Sequence, residues 1–360
     1  MSTPPNAPSH TSDAPDRLSW PDPQRQIQCR QWLAGLPADL ALQPASLRLA
    51  SADASFRRYL RVDSARGSLV IMDAPPDKED CKPFVQIDQL LQHAGLRVPE
   101  VLAWEQDHGF LLLTDLGAKT LLQSMDPAGE PPLAQYQEAT DMLIQWQLAS
   151  KPDVLPPYDA ALLRRELDLF PQWYIAQHRQ VTLDDKQTQV LEEAFKRIIE
   201  NNLSWPSVYV HRDFMPRNLM VSPEGMGLLD FQDAVYGPIT YDIASLMRDA
   251  FLTWDEEFCL DVTIRYWQKA RKAGLPVGDD FGTFYQGVEW MGLQRHLKIA
   301  GIFARLTLRD GKPQYLADAP RFIHYIRSTC SRYMALKPLL RLVEAVEGIE
   351  VPTAFVFGKF

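Results

Sequence analysis

The run His211-Arg212-Asp213-Phe214-Met215-Pro216-Arg217-Asn218, with Asp230-Phe231 beginning twelve residues beyond Asn218, constrains this chain more than any other feature. Short β-prone segments flank it: Ser207 to Val210 before it, Leu219 to Val221 after it, and Gly227-Leu228-Leu229 leading into Asp230. Pro223-Glu224-Gly225 is the turn between the last two. A loop and hairpin of this kind present Asp213, Asn218 and Asp230 together. A carboxylate at Asp213 can orient an attacking hydroxyl and accept its proton. The Asn218 amide and the Asp230 carboxylate are oxygen donors of the sort that hard Mg²⁺ prefers. A single Asp or Asn at a turn usually does no more than cap it. Three such groups at fixed spacing in a β context point to phosphoryl transfer, which requires a hydroxyl orienter beside metal ligands.

The order H-x-D-x-x-x-x-N, an apolar run, then D-F matches the catalytic signature of protein kinases, with Gln232 where those carry glycine. The segment His211 to Asp230, together with Asp233, Gly237-Pro238 and Tyr241-Asp242-Ile243-Ala244, resembles the aminoglycoside phosphotransferase family, the choline-kinase-like group. In that family the metal aspartate is followed by a D-x-x-x-G-x-P-x-x-D-[LIV]-A tail, which Asp233 through Ala244 follows closely. Within the family, His211 to Asn218 and Leu229-Asp230-Phe231-Gln232-Asp233-Ala234 most resemble bacterial amino-sugar kinases that act on the anomeric oxygen of N-acetylmuramate and N-acetylglucosamine. The resemblance covers roughly residues 45 to 345 and is strongest from 205 to 250. It implies an α+β, bilobal, protein-kinase-like fold with a small N-terminal β-rich lobe and a larger, mainly helical C-terminal lobe. It also implies ATP and Mg²⁺ as cofactors, a small-molecule amino-sugar substrate and a role in cell-wall (peptidoglycan) recycling.

Length and composition agree with that frame. A chain of 360 residues exceeds the usual single-domain size, so two lobes are expected. A net charge of -9 argues against a nucleic-acid or acidic-membrane partner, because those need a basic surface that displaces counterions. Cys29, Cys81, Cys259 and Cys330 are far apart and lack C-x-x-C spacing, so neither zinc nor a disulfide framework is suggested, which fits a reducing cytoplasm. No apolar run reaches membrane-spanning length, and residues 1 to 20 have no signal-peptide core. A cytoplasmic monomer is expected.

Residues 1 to 23, rich in Pro, Ser, Asp and Ala, read as a disordered tail. Residues 24 to 117 form the expected nucleotide-binding lobe and residues 118 to 360 the catalytic and acceptor-binding lobe. A short helix over 24 to 35 precedes strands at Leu47 to Leu49, Phe56 to Val62 and Leu69 to Met72. The small residues Ser51, Ala52, Asp53, Ala54 and Ser55 form the turn where kinases fold a flap over phosphates, which makes Ser51, Ala54 and Ser55 nucleotide-contact candidates. Kinases carry a lysine on the third strand, but Ser68-Leu69-Val70-Ile71-Met72-Asp73 has none. Alternation puts Phe56, Arg58, Leu60 and Val62 on one face, where an arginine needs an anion. Arg58 is thus expected to meet phosphate, or else an internal carboxylate such as Asp73. A helix over Glu79 to Ala94 ends at Gly95, and strands follow at Val98 to Trp104 and Phe110 to Thr114. Leu113, Asp115 and Leu116 are then the interlobe residues expected at adenine.

Helical patterns follow around 133 to 149, 159 to 178, 184 to 202, 240 to 252, 256 to 273, 281 to 307 and 320 to 347. Arg217, inside the catalytic loop, is expected either to hold the transferring phosphate or to make a loop-stabilising ion pair. Leu163, Glu166, Leu167, Phe170 and Trp173 fall on one helical stripe, placing an acid among apolar residues. Sugar hydroxyls or an internal arginine would satisfy Glu166, and Trp173 could stack on a pyranose ring. Gln294, Arg295 and His296 are further acceptor-site candidates, with Arg295 or His296 facing a lactyl carboxylate. His211 and Asp242 are read as structural, Asp242 accepting backbone hydrogen bonds from the catalytic loop. Two alternatives stand beside the sugar 1-kinase reading: another small-alcohol kinase of aminoglycoside or choline type, and a nucleotide-binding module without turnover.

Overall fold

The computed structural model describes residues 20, 22–52, 56–65, 67–126 and 129–349. Most of the expected tail, and Ala54 and Ser55 of the expected flap, lie outside the described residues. The chain divides into two compact units, one of residues up to 88 with 99–116, the other of residues 89–98 with those from 117 onward.

The first unit is built on a five-stranded antiparallel sheet. Its strands are β1 (Gln43–Ala52), β2 (Arg58–Ser64), β3 (Gly67–Asp73), β4 (Val101–Glu105) and β5 (Phe110–Thr114), in the order β1-β2-β3-β5-β4. Helix α1 (Pro23–Gly35) starts with Asp22 accepting the Gln24 N–H at 2.8 Å and Pro23 in its first turn, where a missing N–H costs nothing. Cross-strand pairing lines up Leu60, Ile71 and Leu112 on one face of the sheet and Arg61, Val70 and Leu113 on the other. Cys29 and Leu33 of α1 pack on the first face, with Leu60, Val62, Leu69, Ile71, Phe110 and Leu112.

Two strand readings need correction. Ser51 and Ala52 continue β1, pairing with Tyr59 and Arg58, so they are not turn residues. Phe56 precedes β2 and is 66% exposed, so it does not extend the apolar face. Helix α2 (Lys82–His93) follows, and Gly95 beyond it adopts φ +79°, the left-handed geometry that stops helices.

The second unit is mainly helical. It contains α3 (Leu121–Ser124), α4 (Leu133–Leu148), α5 (Ala160–Leu167), a π-helical stretch Phe170–His178, α6 (Asp185–Leu203), α7 (Thr240–Met247), α8 (Glu256–Lys272), α9 (Phe281–Leu308), α10 (Ala319–Arg332) and α11 (Lys337–Glu347). Four short strands interrupt the helices. β6 (Ser207–Val210) pairs with β9 (Val235–Pro238), and β7 (Leu219–Ser222) forms a hairpin with β8 (Gly225–Leu228). Helix α9 is the spine of the core. Leu293, Leu297, Ala300 and Phe303 pack among Phe170, Tyr174, Phe195, Phe322, Ile326 and Leu342 from the surrounding helices. Gly301 is required there, since a Cβ would lie 2.4 Å from the Leu169 carbonyl.

Prolines explain where the helices depart from the sequence pattern. The helix read over 159 to 178 leaves α-geometry after Leu167, ahead of Pro171, which has no N–H to donate. The helix read over 320 to 347 breaks at Met334–Leu336 because Pro338 belongs in a first turn. β9, only four residues long and ending in Gly-Pro, carries no alternation from which it could have been read. No described helix is long and apolar enough to cross a membrane. The four cysteines are buried free thiols, and burial raises Cys29 and Cys330 to about 12, which suppresses the thiolate.

Candidate active site

β6 delivers the chain into His211-Arg212-Asp213, a 3₁₀ turn over Pro216–Asn218 leads into β7, and β8 returns it to Asp230. Two non-glycine residues of this segment sit in the left-handed region, Arg212 at φ +76° and Asp230 at φ +62°. Each costs about 1–2 kcal/mol, so tertiary contacts must hold them there. Asp242, buried in the first turn of α7, supplies one such contact. Its carboxylate accepts the His211 N–H at 2.7 Å and the Arg212 N–H at 3.0 Å. Burial pushes the Asp242 carboxyl up to about 7, against these donors and Arg295, which pull it down.

His211 is fully buried, and burial lowers it to about 4, so its ring is neutral. Its Nε2 lies 3.1 Å from the Leu229 carbonyl and must carry the hydrogen, while Nδ1 accepts the Asp213 N–H at 3.3 Å. The imidazole thus ties the catalytic loop to the end of the hairpin.

Asp213, Asn218 and Asp230 do converge. Asn218 Nδ2 donates to the Asp213 carbonyl at 2.9 Å and lies 3.5 Å from Asp230 Oδ2. The Leu229 N–H donates to the Asn218 carbonyl at 2.9 Å, and Gln232 Nε2 donates to Asp230 Oδ1 at 2.8 Å. With Nδ2 committed to protein oxygens, Oδ1 is the Asn218 atom that could serve a cation. Among the described residues no cluster of three or more His, Cys, Asp or Glu forms a metal cage. One amide and one carboxylate are instead the sparse, all-oxygen donor set that suits Mg²⁺, which keeps waters and takes phosphate oxygens as its other ligands.

Beneath the loop lies a buried polar cluster that reassigns several expected acceptor-site residues. Glu166, on α5 and 5% exposed, receives Arg212 Nη2 at 2.5 Å and Lys298 Nζ at 2.9 Å on Oε1. On Oε2 it receives Gln294 Nε2 at 2.9 Å and the Tyr158 hydroxyl. Burial alone would raise this carboxyl, but Lys298, Arg212 and its hydrogen bonds outweigh it and hold Glu166 at about 2. Glu166 is therefore an internal counter-ion rather than a sugar ligand. The same cluster takes Gln294 and Arg295 out of the acceptor role. Gln294 is committed to Glu166, and Arg295 Nη1 donates to the Arg212 carbonyl at 2.6 Å while its guanidinium lies 4.8 Å from the centre of the Tyr241 ring.

The remaining acceptor candidates are packed elsewhere. His296 Nε2 lies 3.2 Å from the Arg248 carbonyl, and its ring stacks on Tyr325 at 4.5 Å. Trp173 packs against the helical core. Arg217 is exposed and makes no ion pair among the described residues; its guanidinium lies 4.7 Å from the Phe251 ring centre.

Lys298 escaped the sequence reading. The signal was present, a lone lysine in the apolar run Leu297-Lys298-Ile299-Ala300, a position a lysine tolerates only with a buried anion. Gly237 also gains a reason. A Cβ there would lie 2.6 Å from Tyr158 Cβ, so the glycine lets Tyr158 pack on β9 and reach Glu166.

In the first unit, Arg58 does share a face with Leu60 and Val62, but that is the face α1 covers, and its guanidinium lies 4.7 Å from the centre of the Trp20 ring. Arg58 thus lies on the face on which α1 packs, beside an aromatic ring. The alternative partner Asp73 is engaged by Arg25 of α1. Leu113 points to the opposite face, in one row with Val70 and Arg61. There Asp115 accepts Arg61 Nε at 2.7 Å and Ser68 Oγ at 2.6 Å, so its side chain serves an internal pair, and Leu116 is buried. Of Ser51, only its backbone place in β1 is described.

Comparison with known proteins accords with this geometry. A protein named N-acetylmuramate/N-acetylglucosamine kinase from Neisseria meningitidis serogroup B is 47% identical over 338 residues, which span 93% of this chain and 100% of the relative. Among solved structures, a choline/ethanolamine kinase family protein from Mesorhizobium loti superposes with a TM-score of 0.59 at 16% identity, covering 89% of this chain and 99% of that one. The amicoumacin kinase hAmiN, solved in complex with AMP-PNP, Ca²⁺ and Ami, gives a TM-score of 0.56 at 16% identity over 84% of this chain and 95% of that one. The sequence model described as the phosphotransferase enzyme family matches residues 46–279, and the chain belongs to that family.

Proposed function

We propose that this protein uses ATP and Mg²⁺ to phosphorylate the anomeric hydroxyl of N-acetylmuramate and N-acetylglucosamine. The observation that carries the reading is the convergence of Asp213, Asn218 and Asp230 on one loop and hairpin, in a chain 47% identical to an enzyme named for those two sugars. The sugar oxygen attacks the γ-phosphorus, the bond from that phosphorus to the β,γ-bridging oxygen breaks, and ADP leaves. The hydroxyl proton passes to the Asp213 carboxylate, a weak base adequate for an anomeric hydroxyl, which is more acidic than an ordinary alcohol. Asn218 Oδ1 and Asp230 would hold Mg²⁺, which would neutralise charge on the phosphate oxygens. Catalysis and acceptor binding fall to the second unit.

Nucleotide binding falls to the first unit, on the sheet face bearing Leu113, with adenine at the backbone of residues 113–116. Arg61, on that face, takes the place of the missing strand lysine. Buried free thiols and dependence on ATP fit a cytoplasmic enzyme, and the two sugars fit the recycling of cell-wall fragments. The test is ATP consumption over a panel of amino sugars, aminoglycosides and choline, with Asp213→Ala as control and ³¹P NMR to locate the new phosphate. Turnover confined to amines or aminoglycosides would replace the sugar reading with another small-alcohol kinase. ATP binding without turnover of any acceptor would leave a nucleotide-binding module.

A further inference from the structure

Arg212 precedes the catalytic aspartate and occupies left-handed backbone, φ +76°, that a glycine would adopt without strain. It is also largely buried, with 19% of its side chain accessible, so the position carries both conformational and desolvation costs. A turn alone would not need an arginine. Its contacts show what the side chain adds. The Arg212 N–H is held by Asp242 of α7 at 3.0 Å and its carbonyl by Arg295 of α9 at 2.6 Å. Its guanidinium is held by Glu166 of α5 at 2.5 Å and lies 3.5 Å from the Asp233 carbonyl. Glu166 is in turn fixed by Lys298 and Gln294 of α9 and by Tyr158.

We propose that Arg212 is a positioning residue whose side chain, clamped by the Glu166–Lys298 pair, holds the strained turn from which Asp213 projects and so sets the direction of the Asp213 carboxylate. Asp242 and Arg295 hold the peptide groups on either side of the Arg212 Cα, but neither touches the Arg212 side chain. The guanidinium, reaching sideways to a third helix, ties that side chain down. Lys298 acts one step further out, because without it Oε1 of Glu166 faces Arg212 alone, while Gln294 and Tyr158 still hold Oε2. The groups facing this cluster are Glu166, Tyr241, Asp242, Gln294, Arg295 and Lys298 on the helices, Tyr158 in the segment before α5, and Asp213 and Asp233 in loops.

This inference rests on the kinase reading above, and its test separates the two. The full-length protein and its Arg212→Gly and Glu166→Gln variants are assayed for kcat and for KM toward ATP and acceptor, using whichever alcohol the wild-type protein phosphorylates. Turnover by the wild type decides the kinase reading; the variant-to-wild-type ratio decides this one. Arg212→Gly relieves the backbone strain while removing the tether, so a merely structural arginine would be replaced with little loss of rate. The expected result is a fall in kcat of about 100-fold, the scale of a small misplacement of a reacting group, with KM for ATP changed by less than about twofold. Glu166→Gln is expected to lower kcat in the same way, and the double variant to fall no further than the worse single one. Wild-type-like kcat in Arg212→Gly, or losses that multiply in the double variant, would overturn the proposal.

Discussion

Replacing Lys298 with methionine keeps the length of the side chain and deletes one buried charge, which makes the Glu166 cluster measurable. Glu166 is 5% exposed and Lys298 9% exposed, with 2.9 Å between Nζ and Oε1. Burial works against the carboxylate, yet its surroundings hold it at about 2, well below the ordinary glutamate value. At about 1.4 kcal/mol per pKa unit, the folded protein favours the charged form by about 3 kcal/mol. Removing one partner of a buried pair typically costs about 3–5 kcal/mol, because the remaining charge is stranded. Arg212 still faces Glu166 in the variant, so about 3 kcal/mol is expected for Lys298→Met and a similar loss for Glu166→Gln. In the double variant both charges are gone, so the losses should fall short of their sum by at least about 1.5 kcal/mol. The assay is reversible urea unfolding followed by tryptophan fluorescence, with m-values compared to check that the unfolded states match. Additivity to within about 0.5 kcal/mol would show that the two charges do not act on one another and would refute the reasoning.

Four further outcomes are expected. His211 and His296 are lowered by burial to about 4 and about 3, so the unfolded chain binds protons that the folded one refuses. Their contribution is complete above pH 6.5 and is lost as pH falls, at up to about 1.4 kcal/mol per pH unit for each, while Asp242 and Asp249, raised by burial to about 7 and about 6, take up protons in the folded protein over the same range and oppose that loss; the thermal midpoint should therefore change little between pH 7 and pH 5, and a steep fall would contradict this. Asp213→Ala should lower kcat by at least about 1,000-fold while isothermal titration finds ATP affinity within about threefold, whereas Asp230→Asn should raise the Mg²⁺ concentration needed for half-maximal rate. Arg61→Ala should raise KM for ATP, and Arg58→Ala should lower thermal stability and leave that KM unchanged; the reverse pattern would move the nucleotide to the other sheet face. Gly237→Ala would place a methyl 2.6 Å from Tyr158 Cβ, and calorimetry should register an overpacking loss of about 1–3 kcal/mol.

Local sequence was sufficient for the catalytic centre because its parts are near one another along the chain. Asp213, Asn218 and Asp230 span a single loop and hairpin, and turn residues at Pro223 to Gly225 allow one pairing, Leu219 with Leu228. The strand over Phe110 to Thr114, as a short continuous apolar run, and helices such as Leu133–Leu148 and Phe281–Leu308, as long segments between turn residues, could be read directly. Where two adjacent signals competed, proline decided, as at Pro171 and Pro338, and the α-helical pattern alone concealed the breaks.

Sequence by itself picked out the groups proposed to carry the chemistry, since the residue types and their spacing match a hydroxyl orienter beside oxygen ligands for a cation. Only the tertiary structure decided which charged residues pair with one another inside the fold. Glu166, Gln294, Arg295 and Lys298 come from helices over 100 residues apart, and their pairing under Arg212 depends on how α5 and α9 pack. Likewise, alternation put Arg58 with the apolar residues of β2, but nothing local to β2 could say that α1 would cover that face and leave Arg61 on the other. A side chain's partner in three dimensions is set by burial shared among distant elements, and a linear pattern records only that the burial must be satisfied.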